Sequence, residues 1–244
     1  EIKNEILFII PEDDRSSNLA SSLKDKKIFW GSKNDLFKRH LDCALENGFD
    51  FIKLASVSAV EFPLIYKLSA LDMPIIFSTG MCSLNEIDKL YCYAKNLYDN
   101  FSILHCTSCY PTQTCDANLS VLKFLIDKYD CPIGFSDHTI DLRIAFAASA
   151  MDCKIFERHF TLNKNDIGPD HKSSSDPQEF NNYIESINNG RLAMGSLEDK
   201  PNINEKKNIY SMRRCMRYSR DLPAGHIVTL EDICLKRPME GMIG

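Results

Sequence analysis

The sequence predicts an α/β fold in which parallel strands alternate with helices. Short apolar runs recur at intervals of roughly 20 to 30 residues, with helical patterns between them. Such runs are typical of parallel strands that are buried on both faces. Two of them, residues 132–135 and 153–156, each end on a cluster of ionisable side chains. Because the loops after parallel strands build the site in a barrel, we expect chemistry at that edge.

The apolar runs divide the chain into repeated strand–helix units. Strands are predicted at residues 50–55, 74–78, 102–106, 132–135 and 153–157, with a further short run at 6–10. Helices are predicted at residues 34–46, 61–71, 84–97, 118–129, 142–151 and 177–192, and a polar turn at 13–18. These are five strand–helix units and one additional strand, whereas a closed barrel needs eight strands. We therefore predict a TIM-type (β/α) barrel over residues 1–197 that is incomplete at its N-terminus.

The character of the chain changes after the last predicted helix. Residues 198–211 are charged and predict a linker. Residues 212–244 contain short strand-like pieces around the turn Pro223-Ala-Gly225. They predict the beginning of a small β-rich module that is too short to fold alone.

Composition excludes several classes of protein. The chain has 244 residues, of which 44% are hydrophobic, enough to bury the core of one α/β domain. A net charge of −5 argues against a nucleic-acid surface. No apolar run approaches the roughly 18 residues of a membrane span, and no signal peptide is visible. The ten cysteines are scattered, and although Cys106 and Cys109 have redox-motif spacing, we predict reduced thiols in a cytoplasmic protein.

Two histidines follow neighbouring predicted strands. His138 and His159 are expected on the same rim, where they could share one divalent ion, and Asp170 and His171 follow on the next loop. The alternative is that each imidazole is satisfied by hydrogen bonds. A site with open positions would accept manganese, magnesium or zinc.

A second group of residues is typical of an anion site. Lys53 and Ser56 end one predicted strand, and Ser78 and Thr79 end the next, just before Gly80. A lysine, hydroxyls and glycine amides suit a phosphate or a carboxylate. The alternative for Lys53 is a surface lysine.

Several short motifs follow one another along the chain. They are Lys53-Leu-Ala-Ser56, Ser78-Thr-Gly-Met81, Leu104-His-Cys-Thr-Ser-Cys-Tyr-Pro-Thr112, Gly134-Phe-Ser-Asp-His-Thr139, Glu157-Arg-His-Phe-Thr161, Gly168-Pro-Asp-His171, Ser175-Asp-Pro-Gln-Glu-Phe180, Arg213-Arg214 and Lys236-Arg-Pro238. In this order they resemble one family, the N-acetylneuraminate (sialic acid) synthases and their relatives that make legionaminic and pseudaminic acids. The resemblance covers about residues 48–244.

The resemblance implies an activity and an assembly. Such enzymes condense phosphoenolpyruvate with an N-acylated hexosamine, typically N-acetylmannosamine, and release phosphate. They use a divalent metal, most often Mn²⁺ or Mg²⁺. They pair a TIM barrel with a C-terminal antifreeze-like (SAF) module, which covers the site of the partner in a homodimer. Residues 212–244 resemble the start of that module.

The resemblance also assigns residues. His138 and His159 match the metal ligands of the family, and Asp170 matches the residue that binds the sugar hydroxyls. Arg237 matches a module arginine that reaches the N-acyl group, and His105 is expected to act only through its neighbours. The substrate-binding positions implied are Lys53, Ser56, Ser78, Thr79, Thr107, Ser108, Tyr110, Ser136, Asp170 and Arg237. Taken one at a time, the hydroxyls are more often structural.

The chain departs from the family pattern in three places. Ser58 stands where relatives carry an acid, and serine cannot replace that acid as a base. Glu61 lies three residues further on. The N-terminal Gly-x-Asn-His-x-Gly and Lys-x-Gln motifs are not visible, and Arg158 replaces a lysine.

The residues and the resemblance together leave three alternative functions, ranked here from the most to the least favoured. The first is the synthase, and the second is a non-catalytic relative that keeps the fold. The third is a Schiff-base aldolase that uses Lys53.

Overall fold

The computed structural model describes residues 5–9, 28–30, 50–168, 170–197 and 201–237. The chain divides into two compact units, residues 1–195 and 196–244. The helix predicted at 34–46 and the turn predicted at 13–18 lie outside the described residues. No helix within the described ranges has the length and the apolar character needed to cross a membrane.

The first unit is built on a parallel sheet of seven strands. Its order is β1-β7-β6-β5-β4-β3-β2, so that consecutive strands from β2 to β7 are neighbours. The five predicted strands are confirmed, the run at 6–10 is confirmed as β1, and β2 is a strand that the sequence pattern did not predict. The strands are β1 (Glu5–Ile9), β2 (Ile28–Trp30), β3 (Phe51–Leu54), β4 (Ile75–Ser78), β5 (Phe101–Cys106), β6 (Ile133–Ser136) and β7 (Ile155–His159).

Five helices connect or follow strands β3 to β7, as predicted. They are α1 (Phe62–Ser69), α2 (Leu84–Lys95), α3 (Leu119–Lys128), α4 (Leu142–Ala150) and α5 (Pro177–Met194). Helices α2 and α5 begin with capping boxes, in which Ser83 pairs with Glu86 and Asp176 pairs with Glu179. Each box satisfies two groups that a helix N-terminus otherwise leaves unpaired.

Alternation along the strands gives the sheet two different faces. On the outer face, Ile52, Phe77 and Phe156 pack under the helices as parts of two large apolar clusters. On the inner face, Ile76, Leu104 and Ile155 form a smaller cluster. Because side chains on a strand alternate with a period of two, each strand contributes to both cores.

Gly134 allows the inner cluster to close. A Cβ atom at this position would lie 2.6 Å from the carbonyl oxygen of Ile155 and would also collide with the side chain of Leu104. No side chain fits there, so β5, β6 and β7 can approach closely on the inner face.

Helices α4 and α5 pack through small residues. Ser149 Oγ donates to the carbonyl of Ile187 at 2.7 Å, and Ser186 Oγ donates to the carbonyl of Leu142 at 2.7 Å. A Cβ atom at Gly190 would collide with the backbone of Phe146. The close approach of these helices covers the outer face of β6 and β7, the two strands that carry the histidines.

The second unit contains a helix and a hairpin. Helix α6 (Ile203–Met212) covers most of the segment predicted as a linker and ends one residue beyond it. Strands β8 (Cys215–Tyr218) and β9 (Ile233–Lys236) pair antiparallel, which confirms the strand-like character of this region.

The buried carboxylate of Asp232 organises the loop between β8 and β9. It accepts hydrogen bonds from His226 Nε2 at 2.7 Å, from Arg220 Nη2 at 2.7 Å and from the Thr229 amide at 3.0 Å. These donors, His226 first, hold the pKa of the Asp232 carboxyl well below its usual range. The charge and hydrogen-bonding capacity of this group are therefore already used within the loop.

Candidate active site

Polar side chains from five neighbouring strands meet at the carboxyl ends of the sheet. Each lies on the inner face or directly follows a strand, above the apolar cluster of Ile76, Leu104 and Ile155. All are buried. They are Lys53 from β3, Ser78 from β4, Cys106 from β5, Ser136 and His138 from β6, and Glu157 and His159 from β7. The predicted rim is therefore the place where the chain concentrates its buried polar groups.

A buried ion pair lies at the centre of this group. Lys53 Nζ is 2.7 Å from Glu157 Oε1, and Ser78 Oγ donates to Glu157 Oε2 at 3.3 Å. Burial alone raises the pKa of Glu157, but the Lys53 ammonium and hydrogen bonds from Lys53 and Ser136 bring it below its ordinary value. The carboxylate is therefore ionised at neutral pH.

Glu157 is a site residue that the sequence analysis did not assign. It is two residues before His159 on β7, so both side chains must lie on the same face of the strand. That spacing was the available signal. Its charge is paired with that of Lys53, which lies 104 positions earlier in the sequence.

The two histidines come together as predicted. Their ring centroids are 5.1 Å apart, and His138 Nδ1 donates to the carbonyl of Thr107 at 3.2 Å. A proton on Nδ1 leaves Nε2 of His138 with a free lone pair. Within the described part of the chain, the buried Nδ1 of His159 has no hydrogen-bond partner. Each ring thus keeps a nitrogen that a ligand can use.

Burial keeps both imidazoles neutral. It lowers the pKa of His138 to about 4, and His159 adds to the shift. Burial also lowers the pKa of His159, against an opposing effect of Asp170. Neutral imidazole is the form that binds metals.

The donor set fits a divalent ion with open coordination positions. Among the described residues, no group of three or more His, Cys, Asp or Glu side chains is arranged to hold a metal ion. Two neutral imidazoles on adjacent strands, one with an unpaired buried nitrogen, can supply two ligands. A site with few protein ligands leaves positions for water or substrate, as catalytic sites do.

Tyr110 closes one side of the histidine pair. Its ring centroid is 4.3 Å from that of His138 and 5.4 Å from that of His159. Burial raises the pKa of its hydroxyl to about 12. The hydroxyl therefore remains protonated and can donate a hydrogen bond at neutral pH.

Ser56, Gly80 and Ser108 converge beside Cys106. The Gly80 amide donates to Ser56 Oγ at 2.9 Å. A Cβ atom at Gly80 would lie 2.8 Å from Ser56 Oγ and 3.0 Å from Cys106 Sγ, and would collide with Ser108 Oγ. Only glycine allows these polar atoms to approach so closely.

Two of the predicted substrate-binding hydroxyls are used for local structure. Thr79 Oγ1 donates to the carbonyl of Leu104 at 2.8 Å, and Thr107 Oγ1 donates to the carbonyl of Asp116 at 2.8 Å. Each retains lone pairs that can accept a hydrogen bond, but its proton is committed to the backbone. His105 is similar, because it lies on the outer face and donates to the carbonyl of Ala117 at 2.9 Å.

The remaining predicted residues lie in different surroundings. Asp170 is half-buried on the loop after β7. Its charge partly offsets the lowering of the His159 pKa that burial causes. Ser58 is half-buried in the short 3₁₀ turn Ser56–Ser58, whereas Glu61 is exposed at the start of α1. Arg237 is exposed in the second unit, directly after β9.

A second buried ion pair supports the histidines from the outer face. Arg158 lies between Glu157 and His159 in sequence and points the other way, with Nη1 3.3 Å from Asp137 Oδ2. Its Nε donates to Ser175 Oγ at 2.6 Å. This pair ties β6, β7 and the loop before α5 together behind the site.

The site can be compared with known proteins. The sequence model of the NeuB family matches residues 12–199. The chain belongs to the NeuB family. It is 35% identical over 232 residues to N,N'-diacetyllegionaminic acid synthase of Legionella pneumophila. The aligned residues are 93% of this chain and 64% of that relative. It is 34% identical over 231 residues to N-acetylneuraminate-9-phosphate synthase of Mus musculus, covering 91% of this chain and 62% of that enzyme.

Solved structures share the fold of this chain. An N-acetylneuraminic acid synthetase of Leptospira borgpetersenii, crystallised with citrate, matches 72% of this chain and 61% of its own with a TM-score of 0.64 at 30% identity. A spore coat polysaccharide biosynthesis protein of Bacillus subtilis shares the fold, with a TM-score of 0.64 at 20% identity over 96% of this chain and 76% of its own. The chain thus spans about two thirds or less of several NeuB family relatives.

Breaking the outer ion pair should destabilise the site scaffold. Arg158→Met leaves Asp137 buried without its cation, so we expect the free energy of unfolding to fall by about 3–5 kcal/mol. Urea denaturation followed by circular dichroism measures this change. Arg143→Met, which breaks an exposed pair with Asp141, is the control and should change stability by less than about 1 kcal/mol. Equal effects of the two variants would contradict a structural role for the buried pair.

Proposed function

We propose that this chain carries out the condensation of phosphoenolpyruvate with an N-acylated hexosamine, such as N-acetylmannosamine, to give a nonulosonic acid and phosphate. The observation that supports this most is the pair of neutral, buried histidines beside the Lys53–Glu157 pair at the strand ends. Membership of the NeuB family, whose named relatives are sialic, legionaminic and pseudaminic acid synthases, supports the same reaction.

Lys53 and the groups around Gly80 are the proposed anion contacts. Lys53 has two N–H donors beyond the one aimed at Glu157. Ser78 and Ser136 donate to the same Glu157 carboxylate, and Ser56 and Ser108 lie beside Gly80 in the loops after β3 and β5. Charge-assisted hydrogen bonds of this kind suit the phosphate and the carboxylate of phosphoenolpyruvate.

His138 and His159 are the proposed ligands of a divalent ion, Mn²⁺ or Mg²⁺. When bound, such an ion polarises the open-chain sugar aldehyde. The need for added positive charge follows from the described side chains, because Glu157 offsets the charge of Lys53. Without further cations, a highly charged anion would enter a nearly neutral pocket.

The proposed reaction forms one carbon–carbon bond and replaces the carbon–oxygen bond to phosphate with a carbon–oxygen bond from water, which gives up a proton. The enol carbon of phosphoenolpyruvate attacks the aldehyde carbon, and water then adds to the resulting cation before phosphate leaves. The aldehyde oxygen gains a proton in this sequence. Tyr110, whose hydroxyl stays protonated next to His138, is placed to donate a hydrogen bond to that oxygen. Asp170 is proposed to accept hydrogen bonds from the sugar hydroxyls.

A second candidate function is a relative that binds the ligands without turnover. Ser58 favours it, because the family pattern places an acid at that position and Glu61 is exposed. The aldolase alternative loses support from the structure. An ammonium group held 2.7 Å from a carboxylate is not the neutral amine that a Schiff base requires.

The finer architecture is also proposed from the family. We propose that the parallel sheet completes a TIM barrel and that the β8–β9 hairpin begins an SAF module. We further propose a homodimer, because the loops after the strands expose large apolar side chains around the site. Exposed apolar side chains that share one edge of a sheet are typical of interaction sites. These side chains are Val57, Met81, Tyr110, Ile140, Leu162 and Ile167.

Turnover tests the proposed reaction directly. We expect the purified protein to release phosphate when phosphoenolpyruvate, Mn²⁺ and N-acetylmannosamine are mixed, with less release when the sugar or the metal is left out. Lys53→Met should lower kcat/KM by about 100-fold or more, whereas Lys123→Met, on the exposed side of α3, should not change it. Binding of phosphoenolpyruvate without any phosphate release would favour the non-catalytic relative.

Metal binding tests the histidine assignment. Equilibrium dialysis with Mn²⁺ should find one ion per chain, and His138→Ala or His159→Ala should weaken its binding by about 100-fold. His226→Gln, in the second unit, is the control and should leave the metal content unchanged. Full Mn²⁺ occupancy in His138→Ala would show that this imidazole is not a ligand.

Sedimentation velocity tests the proposed dimer. At micromolar concentration we expect the mass of two chains. Ile140→Asp places a charge among the exposed apolar side chains of the loops after the strands, where Ile140 is 74% exposed. This variant should shift the protein towards monomer. Tyr66→Asp, exposed in the middle of α1, should not. A wild-type protein that sediments only as a monomer would count against the proposal.

A further inference from the structure

Lys53, the proposed contact for the anion, is already paired with the carboxylate of Glu157. Lys53 is 7% exposed and Glu157 is 1% exposed, and the two groups lie 2.7 Å apart. An incoming phosphate therefore meets a lysine whose charge is cancelled and a buried negative charge directly behind it. Both effects weaken the attraction between the pocket and an anion.

Glu157 is poorly suited to the two other roles that a buried carboxylate commonly has. A general base needs a carboxylate oxygen within hydrogen-bond reach of the proton that it removes, whereas both oxygens of Glu157 face the side chains of Lys53 and Ser78. As a metal ligand it would need a free oxygen. Oε1 lies 2.7 Å from the Lys53 ammonium nitrogen and Oε2 accepts from Ser78, so each oxygen faces another side chain of the protein.

We propose that Glu157 is a positioning residue that holds Lys53 in the pocket and competes with the bound anion for its ammonium group. The pairing keeps the Lys53 ammonium group oriented in the pocket while it limits the affinity of the pocket for phosphate, the product that must leave. This inference rests on the proposed function, in that Lys53 is taken as the contact for the anion.

Removing the carboxylate should therefore strengthen anion binding. In Glu157→Gln the buried ammonium loses its partner, which is unfavourable in the free protein. A bound phosphate then supplies the missing negative charge, and the repulsion between Glu157 and the anion is gone. A charge within about 4–6 Å typically shifts such an equilibrium by about tenfold or more, so we expect phosphate to bind at least about tenfold more tightly.

Isothermal titration calorimetry with inorganic phosphate at pH 7, without added metal, tests this. The four proteins are the wild type, Glu157→Gln, Lys53→Met and the double variant. We expect tighter binding in Glu157→Gln and no such gain when the substitution is made on the Lys53→Met background, because the effect acts through Lys53. Glu185→Gln makes the same chemical change at an exposed position on α5 and should leave phosphate affinity unchanged.

Thermal unfolding separates this role from a purely structural one. Without phosphate, the Tm of Glu157→Gln should fall, and phosphate should raise it more than it raises the Tm of the wild type. Unchanged or weaker phosphate binding in Glu157→Gln would overturn the inference, as would a gain that survives on the Lys53→Met background.

A second variant covers the case in which Glu157→Gln does not fold. Glu157→Asp keeps the charge but shortens its reach to Lys53, so a smaller gain in phosphate affinity is expected, and no gain would overturn the inference. The same titrations distinguish failure of the proposed function from failure of this inference. If neither the wild type nor the variants bind phosphate, Lys53 is not an anion contact; if the wild type binds and the variants show no gain, only the role of Glu157 is lost.

Discussion

The two-residue period of a parallel strand buried on both faces is the constraint on which this structure depends. It sends Glu157 and His159 to the inner face of β7 and Arg158 to the outer face. The same alternation places Lys53, Ser78 and Ser136 on the inner face of their own strands. The site is therefore a consequence of how these strands pair. A shift of one residue in register would turn these polar side chains to the opposite face of the sheet.

Both faces of β7 use a buried ion pair. On the inner face Glu157 pairs with Lys53 of β3, and on the outer face Arg158 pairs with Asp137, which directly follows β6. Buried charges are expensive unless they are paired and hydrogen-bonded, and each of these pairs has additional donors or acceptors. The outer pair is best understood as scaffold, since Tyr183 and Ser175 enclose the guanidinium away from the pocket.

The neutral state of the histidines follows from the same burial. Both rings lie at the carboxyl ends of adjacent strands, where Tyr110 covers them and few charges offset the cost of protonation. An exposed pair of histidines, with pKa values of about 6.5, would be partly protonated near neutral pH and would bind a metal less well. Packing around the rings thus determines their chemistry as much as their position does.

The residue pattern predicted that the two histidines lie together, but it did not predict which hydroxyl groups donate to the backbone. His138 and His159 follow neighbouring apolar runs, and that order along the chain was enough to place them together. The hydroxyls of Thr79 and Thr107 look equivalent to those of Ser56 and Ser108 in the sequence. Only the folded chain shows that the two threonines donate to backbone carbonyls.

The sequence by itself determined the strand–helix repeat, the parallel sheet and the rim on which the histidines lie, because hydrophobic periodicity and strand ends are local properties. The tertiary structure alone decided the pairing of Lys53 with Glu157 and the buried pair behind the histidines. The two ion pairs join residues on different strands, and which side chains meet there depends on strand order, register and the direction in which each side chain points. Those are set when the sheet assembles, and no short stretch of sequence carries them.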